Sequence, residues 1–288
     1  MPTPPADIEV DEALVRALLE AERPDLARLP LRLVANGWDN VVLRLGEDLA
    51  VRVPRRRVAA ELVRHEQEAL PGIARRVAVA VPVPVHAGRP SPLLPFHWSV
   101  VPWFAGRTAA EDPVRDEARL ATDLTAFLAA LHVPDPAAPA NPVRGVPLRD
   151  RAGDMTERLA HPALPDPEGV RAVWSAALDA PGWAGAPLRL HGDLHPANLV
   201  VADGVLAAVI DFGDTTAGDP ATDLATAWLT LGPEGRALLL DGLRVDPATR
   251  LRARGWATVM ATAYLGTEPG SVLHGVGTRA LREVLAER

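Results

Sequence analysis

The stretch RLHGDLHPANLVV, residues 189–201, decides how the rest of the chain is read. It sets four polar side chains, His191, Asp193, His195 and Asn198, between two short apolar runs. A loop between strands is a costly place for so many polar groups unless they are used. The next stretch, AVIDFGDTTAGDPATDLA at 208–225, is an apolar strand ending in Asp211, followed by Phe212 and Gly213. A carboxylate at the end of an apolar strand, followed closely by Gly, marks a candidate metal ligand.

The order Asp193, Asn198, Asp211 is the pattern of phosphoryl transfer: a catalytic Asp, a metal-binding Asn, and a metal-binding Asp in a D-F-G-like turn. The chemistry calls for these residue types. Asp193 has to accept or orient a hydroxyl proton. An amide oxygen and a carboxylate are hard ligands suited to Mg²⁺, which offsets charge between the β- and γ-phosphates. A zinc cluster of His191, Asp193 and His195 is the competing reading. It needs His191 and His195 on a helix, and His-Gly-Asp followed by Pro196 is poor helix sequence.

HGDLHPANLV, VIDFGD and the later DPATDLA resemble the aminoglycoside phosphotransferase family of kinase-like enzymes. The likeness extends to NGWDNVVLRLGEDLAVRVPRR and HEQEALP in the first half, and spans roughly residues 30–265. It implies a two-lobed α+β, protein-kinase-like fold. Residues 1–100 would form a strand-rich nucleotide-binding lobe, 101–105 a linker, and 106–288 a mostly helical lobe with the catalytic loop and acceptor site. It implies ATP (or GTP) as donor, Mg²⁺ as cofactor, and a hydroxyl of a small molecule as acceptor. The acceptor it implies first is an aminoglycoside-type antibiotic, so that resistance is a candidate role. A macrolide, a sugar, homoserine or choline is the alternative within enzymes, since these motifs serve phosphoryl transfer and not acceptor choice. A nucleotide-binding protein without turnover is the alternative of another class.

The nucleotide end is read outward from the same frame. Strands are predicted over 31–34, 41–45 and 49–53, with a turn cluster at 35–40 where a phosphate-covering loop belongs; its only glycine is Gly37. Kinases place a Lys on the third strand, but this chain has no Lys, and Arg52 in Val-Arg-Val is the candidate anchor. Its partner should be a Glu on the helix predicted over 58–70. Leu62, Glu66 and Leu70 share its apolar face, while Glu61 and Glu68 share the polar one. A carboxylate on an apolar face needs a cation, which selects Glu66. Adenine is expected against the backbone of Val101 and Trp103, because Pro102 has no N–H.

Further strands are expected over 79–85 (an edge, broken by Pro82 and Pro84), 98–103, 188–190, 199–201 and 206–210. Helices are expected over 8–22, 112–132, 149–160, 167–180, 220–231, 233–243, 247–266 and 276–287. Residues 133–148 hold five prolines and read as a loop. Asp150, Asp154 and Glu157 read as a solvated face near the acceptor side. Asp219 and Asp223 read as caps or braces of the loop after Phe212-Gly213.

Composition narrows the classes. The 288 residues contain no Cys, which excludes disulfides, thiolate zinc sites and a cysteine nucleophile. The missing Lys excludes a Schiff base. The net charge of -7 argues against nucleic acid as partner. All of that excess lies beyond residue 100, which favours a cationic acceptor. The N-terminus has no secretory pattern, and the longest uncharged stretch, 90–106, is broken by four prolines, so a cytoplasmic location with no membrane partner is expected.

Overall fold

A computed structural model describes residues 5–37 and 39–287. Trp38, inside the predicted turn cluster, lies outside the described residues. The chain opens with helix α1 (Glu12–Glu22), whose Asp11 side chain accepts from the Leu14 N–H at 2.8 Å and starts the helix four residues later than its periodicity predicts. Three antiparallel strands follow, β1 (Leu31–Asn36), β2 (Asn40–Leu45) and β3 (Leu49–Pro54). Alternation on β3 buries Val51 and Val53 and turns Arg52 to the other face, opposite Val42 of β2.

Helix α2 (Arg57–Ala74) runs through Pro71, four residues beyond its predicted end. Leu70 and Ile73 are buried in the core of the second lobe, and that packing carries the helix past a residue that would otherwise end it. The strand predicted over 79–85 is not formed. Pro82 and Pro84 cannot donate to a ladder, and only an isolated parallel bridge from Ala80 to Ala208 remains. The strand β4 (His86–Gly88) lies just beyond and pairs with β5 (Trp98–Pro102), giving one sheet of order β1-β2-β3-β5-β4.

The rest is mostly helical. Strand β6 (Arg107–Thr108) leads to α3 (Glu117–Leu131), α4 (Ala152–Leu159) and α5 (Pro167–Asp179). Then come β7 (Leu188–Leu190), β8 (Leu199–Ala202), β9 (Val205–Val209) and β10 (Thr216–Gly218). Helices α6 (Ala221–Leu224), α7 (Thr226–Leu229), α8 (Pro233–Gly242), α9 (Pro247–Leu265) and α10 (Val272–Ala286) complete the chain. Strand β10, which pairs with β7, has no counterpart among the predicted elements.

Two apolar cores result. One lies under the five-stranded sheet against α1, around Leu18, Leu19 and Trp98. The other is larger and joins α3, α9 and α10 around Phe127, Trp228 and Trp256. This is the two-lobed α+β arrangement expected, and the turn after β9 reaches the first lobe through Arg52 and Glu66. Among the described residues no helix is long and apolar enough to cross a membrane.

Trp98 is fully buried in the first core and its Nε1–H donates to Glu22. Trp98→Ala should cost about 3–5 kcal/mol. Urea unfolding is the check, and an unchanged midpoint would remove Trp98 from that core.

Candidate active site

The loop between β7 and β8 is held from below by a carboxylate. Asp223 is fully buried and accepts from the backbone N–H groups of His191 and Gly192, both at 2.8 Å, and from His132 Nε2 at 3.1 Å. Asp223 thus braces the loop that precedes Asp193, not the loop after Phe212-Gly213. Asp219 accepts from the Ala221 N–H at 3.0 Å and from Arg252 Nε at 2.6 Å, pinning the chain entering α6 to α9. Gly192 has φ 91°, and a Cβ there would lie 2.2 Å from the Asp214 carbonyl oxygen, so the position requires glycine.

His191 is a brace. Its Nδ1 accepts from the Asp193 N–H at 3.2 Å, which leaves the proton on Nε2 to donate to the Ile210 carbonyl at 3.0 Å. Asp193 emerges with both carboxylate oxygens engaged. Arg144 Nη2 donates to Oδ1 at 2.7 Å, the Tyr264 hydroxyl to the same oxygen at 3.3 Å, and His195 Nε2 to Oδ2 at 3.2 Å. Burial pushes this carboxyl up, but Arg144 and His195 outweigh it and hold it well below the usual carboxylate range. Burial and the Asp193 charge raise the Tyr264 phenol well above its ordinary value, so it stays a donor.

Asn198 and Asp211 meet across the β8–β9 hairpin. The Ile210 N–H donates to the Asn198 carbonyl at 3.0 Å, and Asp211 is the next residue, with φ 65°. The Asn198 amide donates from Nδ2 to the Asp193 carbonyl at 2.9 Å, which commits its nitrogen and leaves Oδ1 as the ligand end. Among the described residues no three His, Asp or Glu side chains gather into a metal cluster, and the zinc reading falls. An amide oxygen beside a carboxylate does fit a hard divalent ion that takes its remaining ligands from phosphate and water.

From the other lobe, Arg52 Nη1 donates to Glu66 Oε1 at 2.8 Å, and its Nη2 to Asp211 Oδ1 at 3.0 Å. The same Glu66 Oε1 accepts from the Phe212 N–H at 2.8 Å. Burial pushes the Glu66 carboxyl up against the pull of Arg52. Burial also opposes the Arg52 charge, and Glu66 with Asp211 more than restores it. Glu61 and Glu68 both pair with Arg64 at the surface, as their place on the polar face requires.

Two backbone expectations are corrected. The Gly37 N–H donates to the Asn40 carbonyl at 2.9 Å, and its own carbonyl accepts from Arg55 at 3.1 Å, so its peptide groups serve the hairpin and not a phosphate. The Trp103 N–H donates to the Asp48 carbonyl at 2.7 Å, continuing the β3–β5 ladder. Val101 stands opposite Ala50 two residues earlier, and ladder alternation turns its N–H toward β3 as well. The Pro102 carbonyl points away from β3, and the Phe104 N–H has no hydrogen-bond partner among the described residues.

Sequence reasoning missed three residues. Arg144 and Asn141 come from the proline-rich loop, which has no periodicity to read. Asn141 Nδ2 donates to Asp214 Oδ1 at 2.8 Å. Tyr264 is the only Tyr of the chain, and that rarity on the last turns of α9 was the available signal.

Known proteins agree with this geometry. The model of the phosphotransferase enzyme family matches residues 30–259, and the chain belongs to that family. It is a small-molecule kinase. The GDP complex of wild-type aminoglycoside 2'-phosphotransferase-IIIa superimposes with a TM-score of 0.71 at 20% identity, covering 96% of this chain and 99% of that one. The apoenzyme of macrolide 2'-phosphotransferase MphH from Brachybacterium faecium gives 0.61 at 26% identity, over 94% and 96%. The ternary complex of streptomycin, ATP and APH(2")-IIa gives 0.61 at 17%, over 90% and 91%. No curated protein matches the sequence.

Arg52→Ala leaves Glu66 buried without its cation and should cost about 3–5 kcal/mol, whereas Arg52→Lys keeps the charge and should lose activity without unfolding. Chemical denaturation of the two variants separates these effects. Asp223 gives a pH signature. Burial raises its carboxyl, and the His132 hydrogen bond and charge lower it further than burial raises it. With the folded pKa depressed, its stabilisation is complete above the unfolded value of about 3.9 and is lost as pH falls below it. Asp223→Asn should therefore flatten the fall of stability between about pH 4 and 2. An unaltered slope counts against this role.

Proposed function

We propose that this phosphotransferase moves the γ-phosphoryl group of ATP, with Mg²⁺ as cofactor, onto a hydroxyl of a small molecule. The observation that carries the reading is the meeting of Asp193, Asn198 and Asp211 at one mouth of the cleft with Arg52 and Glu66 opposite. Residues 1–100 are read as the nucleotide lobe, 101–105 as the joint that meets adenine, and 106–288 as the catalytic and acceptor lobe. Adenine is assigned to the Pro102 carbonyl and the Phe104 N–H, a paired acceptor and donor. GTP is the alternative donor. The enzyme is placed in the cytoplasm, where the donor is available.

Asp193 orients the acceptor hydroxyl and takes its proton, while the acceptor oxygen bonds to the γ-phosphorus. The bond from that phosphorus to the β,γ-bridging oxygen breaks, and ADP leaves with the electron pair. Tyr264 and His195 hold the carboxylate in place for this. Arg52 steadies the phosphates, and Glu66 orients Arg52. Asn198 and Asp211 would hold Mg²⁺, which when bound offsets the phosphate charge. A base held strongly ionised is a weak one, so orientation outweighs proton abstraction in the Asp193 contribution.

An aminoglycoside-type acceptor is one reading of the substrate, with antibiotic resistance as the role. The acidic second half and the likeness to folds solved with kanamycin, streptomycin and gentamicin support it. A specific observation favours a second reading, a small hydroxyl compound that is not a cation: the guanidinium of Arg144 already occupies Asp193.

Asp193→Asn should lower kcat by about 10²–10⁴ with nucleotide affinity nearly unchanged. Near-normal turnover would remove Asp193 from the catalytic role. Asp211→Ala should weaken Mg²⁺–nucleotide binding more than Asn198→Ala, because a charged ligand holds a divalent ion better than an amide. Calorimetric titration of nucleotide with and without Mg²⁺ makes the comparison.

A further inference from the structure

The acceptor side of Asp193 is built from arginines. Arg144 arrives from the proline-rich loop and donates from Nη2 to Asp193 Oδ1 at 2.7 Å, with its side chain 18% exposed. Arg151, just before α4, pairs with Asp154. Arg158, one turn further along α4, reaches the same Asp154 oxygen at 3.8 Å and donates to the Val259 carbonyl at 2.7 Å, on the helix that also carries Tyr264. Three guanidinium groups therefore stand among three carboxylates, Asp193 and Asp214 beside Arg144 and Asp154 between Arg151 and Arg158. Glu157 is on the exposed face of α4, and Asp214, which accepts from Asn141, also lies close enough to Arg144 to help hold its charge. Arg144 and Arg151 stand close enough to Arg158 to help lower its pKa, after burial.

The protein does not saturate these groups. Arg144 Nε and Arg151 Nε are buried without a hydrogen-bond partner among the described residues, and Arg144 spends one donor on Asp193. An acceptor hydroxyl that reaches Asp193 comes up beside this guanidinium. If the acceptor carries an ammonium near that hydroxyl, the ammonium meets Arg144 at the one carboxylate both would need, and like charges repel. If it carries an anion there, the Arg144 Nη hydrogens left over from Asp193 receive it, since guanidinium offers several donors to carboxylate and phosphate.

We infer that Arg144 is a specificity-determining residue, and that the acceptor bears an anionic group, a carboxylate or a phosphate ester, close to the hydroxyl that is phosphorylated. The inference rests on the reading of Asp193 as the acceptor-side group, and it chooses between the two acceptor readings above.

The test measures ADP release by the full chain with MgATP and three acceptor sets. Glycerate and gluconate carry carboxylates, glucose 6-phosphate and glycerol 3-phosphate carry phosphates, and kanamycin and choline are cations. At least one anionic set should raise ADP release above the acceptor-free rate, with kcat/KM at least tenfold above either cation. The carboxylate and phosphate arms identify the anion. A larger response to kanamycin or choline, or no response to any anion, overturns the inference. Arg144→Gln should raise the KM of the responding anion at least tenfold and shift the KM for ATP far less, and Arg144→Lys should recover part of the loss. Equal rises in both KM values would mark a merely structural residue and overturn it. Failure of the phosphotransferase reading shows separately, as absence of Mg²⁺-dependent ATP binding in calorimetry.

Discussion

A single buried oxygen ties the molecule together. Glu66 Oε1 accepts from Arg52 on β3 and from the backbone of Phe212, the residue after Asp211. The first contact lies within the strand-rich lobe and the second crosses to the helical one. A buried carboxylate must be satisfied where it sits, so the position of α2 sets the distance between Arg52 and the turn that carries Asp211. The same helix carries Leu70 and Ile73 into the core of the second lobe. Its last turns join the second lobe through apolar packing, and Glu66 at its middle joins both lobes through charge.

The cleft beyond Glu66 alternates in sign. Arg52 lies between Glu66 and Asp211, and Arg144 pairs with Asp193 and feels the charge of Asp214. Asp39 in the turn above is pushed up first by burial, and further by Asp211 and Asp214, while Arg56 opposes this. With no Lys in the chain, every cation in this arrangement is a guanidinium. A guanidinium keeps its charge when buried and holds two oxygens in one plane. That suits a site in which each cation bridges carboxylates while the lobes stay in register.

Much of this was legible in the residues. The spacing of Asp193, Asn198 and Asp211 named the three positions that the β8–β9 hairpin brings side by side. The helical period placed Glu66 on the apolar face, and the ion pair with Arg52 is present at 2.8 Å. Most strand and helix centres were placed correctly, and the boundaries moved where a cap or a core intervened. Asp11 and Asp116 started α1 and α3 late, and the second core carried α2 past Pro71. What went astray involved backbone groups. Gly37 and Trp103 stand where a nucleotide loop and joint belong, but their N–H groups are spent on Asn40 and Asp48.

By itself the sequence determined the spacing of Asp193, Asn198 and Asp211 and the pairing of Arg52 with Glu66, and its resemblance to a known family implied the two-lobed α+β fold. The spacing and the pairing rest on local order: a helical period of 3.6, a strand period of 2, and intervals fixed by a hairpin. Only the tertiary structure decided which peptide N–H groups are already paired, that Asp223 braces the loop before Asp193, and that Arg144 lies on Asp193 across 49 residues of chain. Such long-range contacts are set by how helices pack and how a proline-rich loop closes over them. No periodicity along the chain encodes that closure, because the loop has no regular face to repeat.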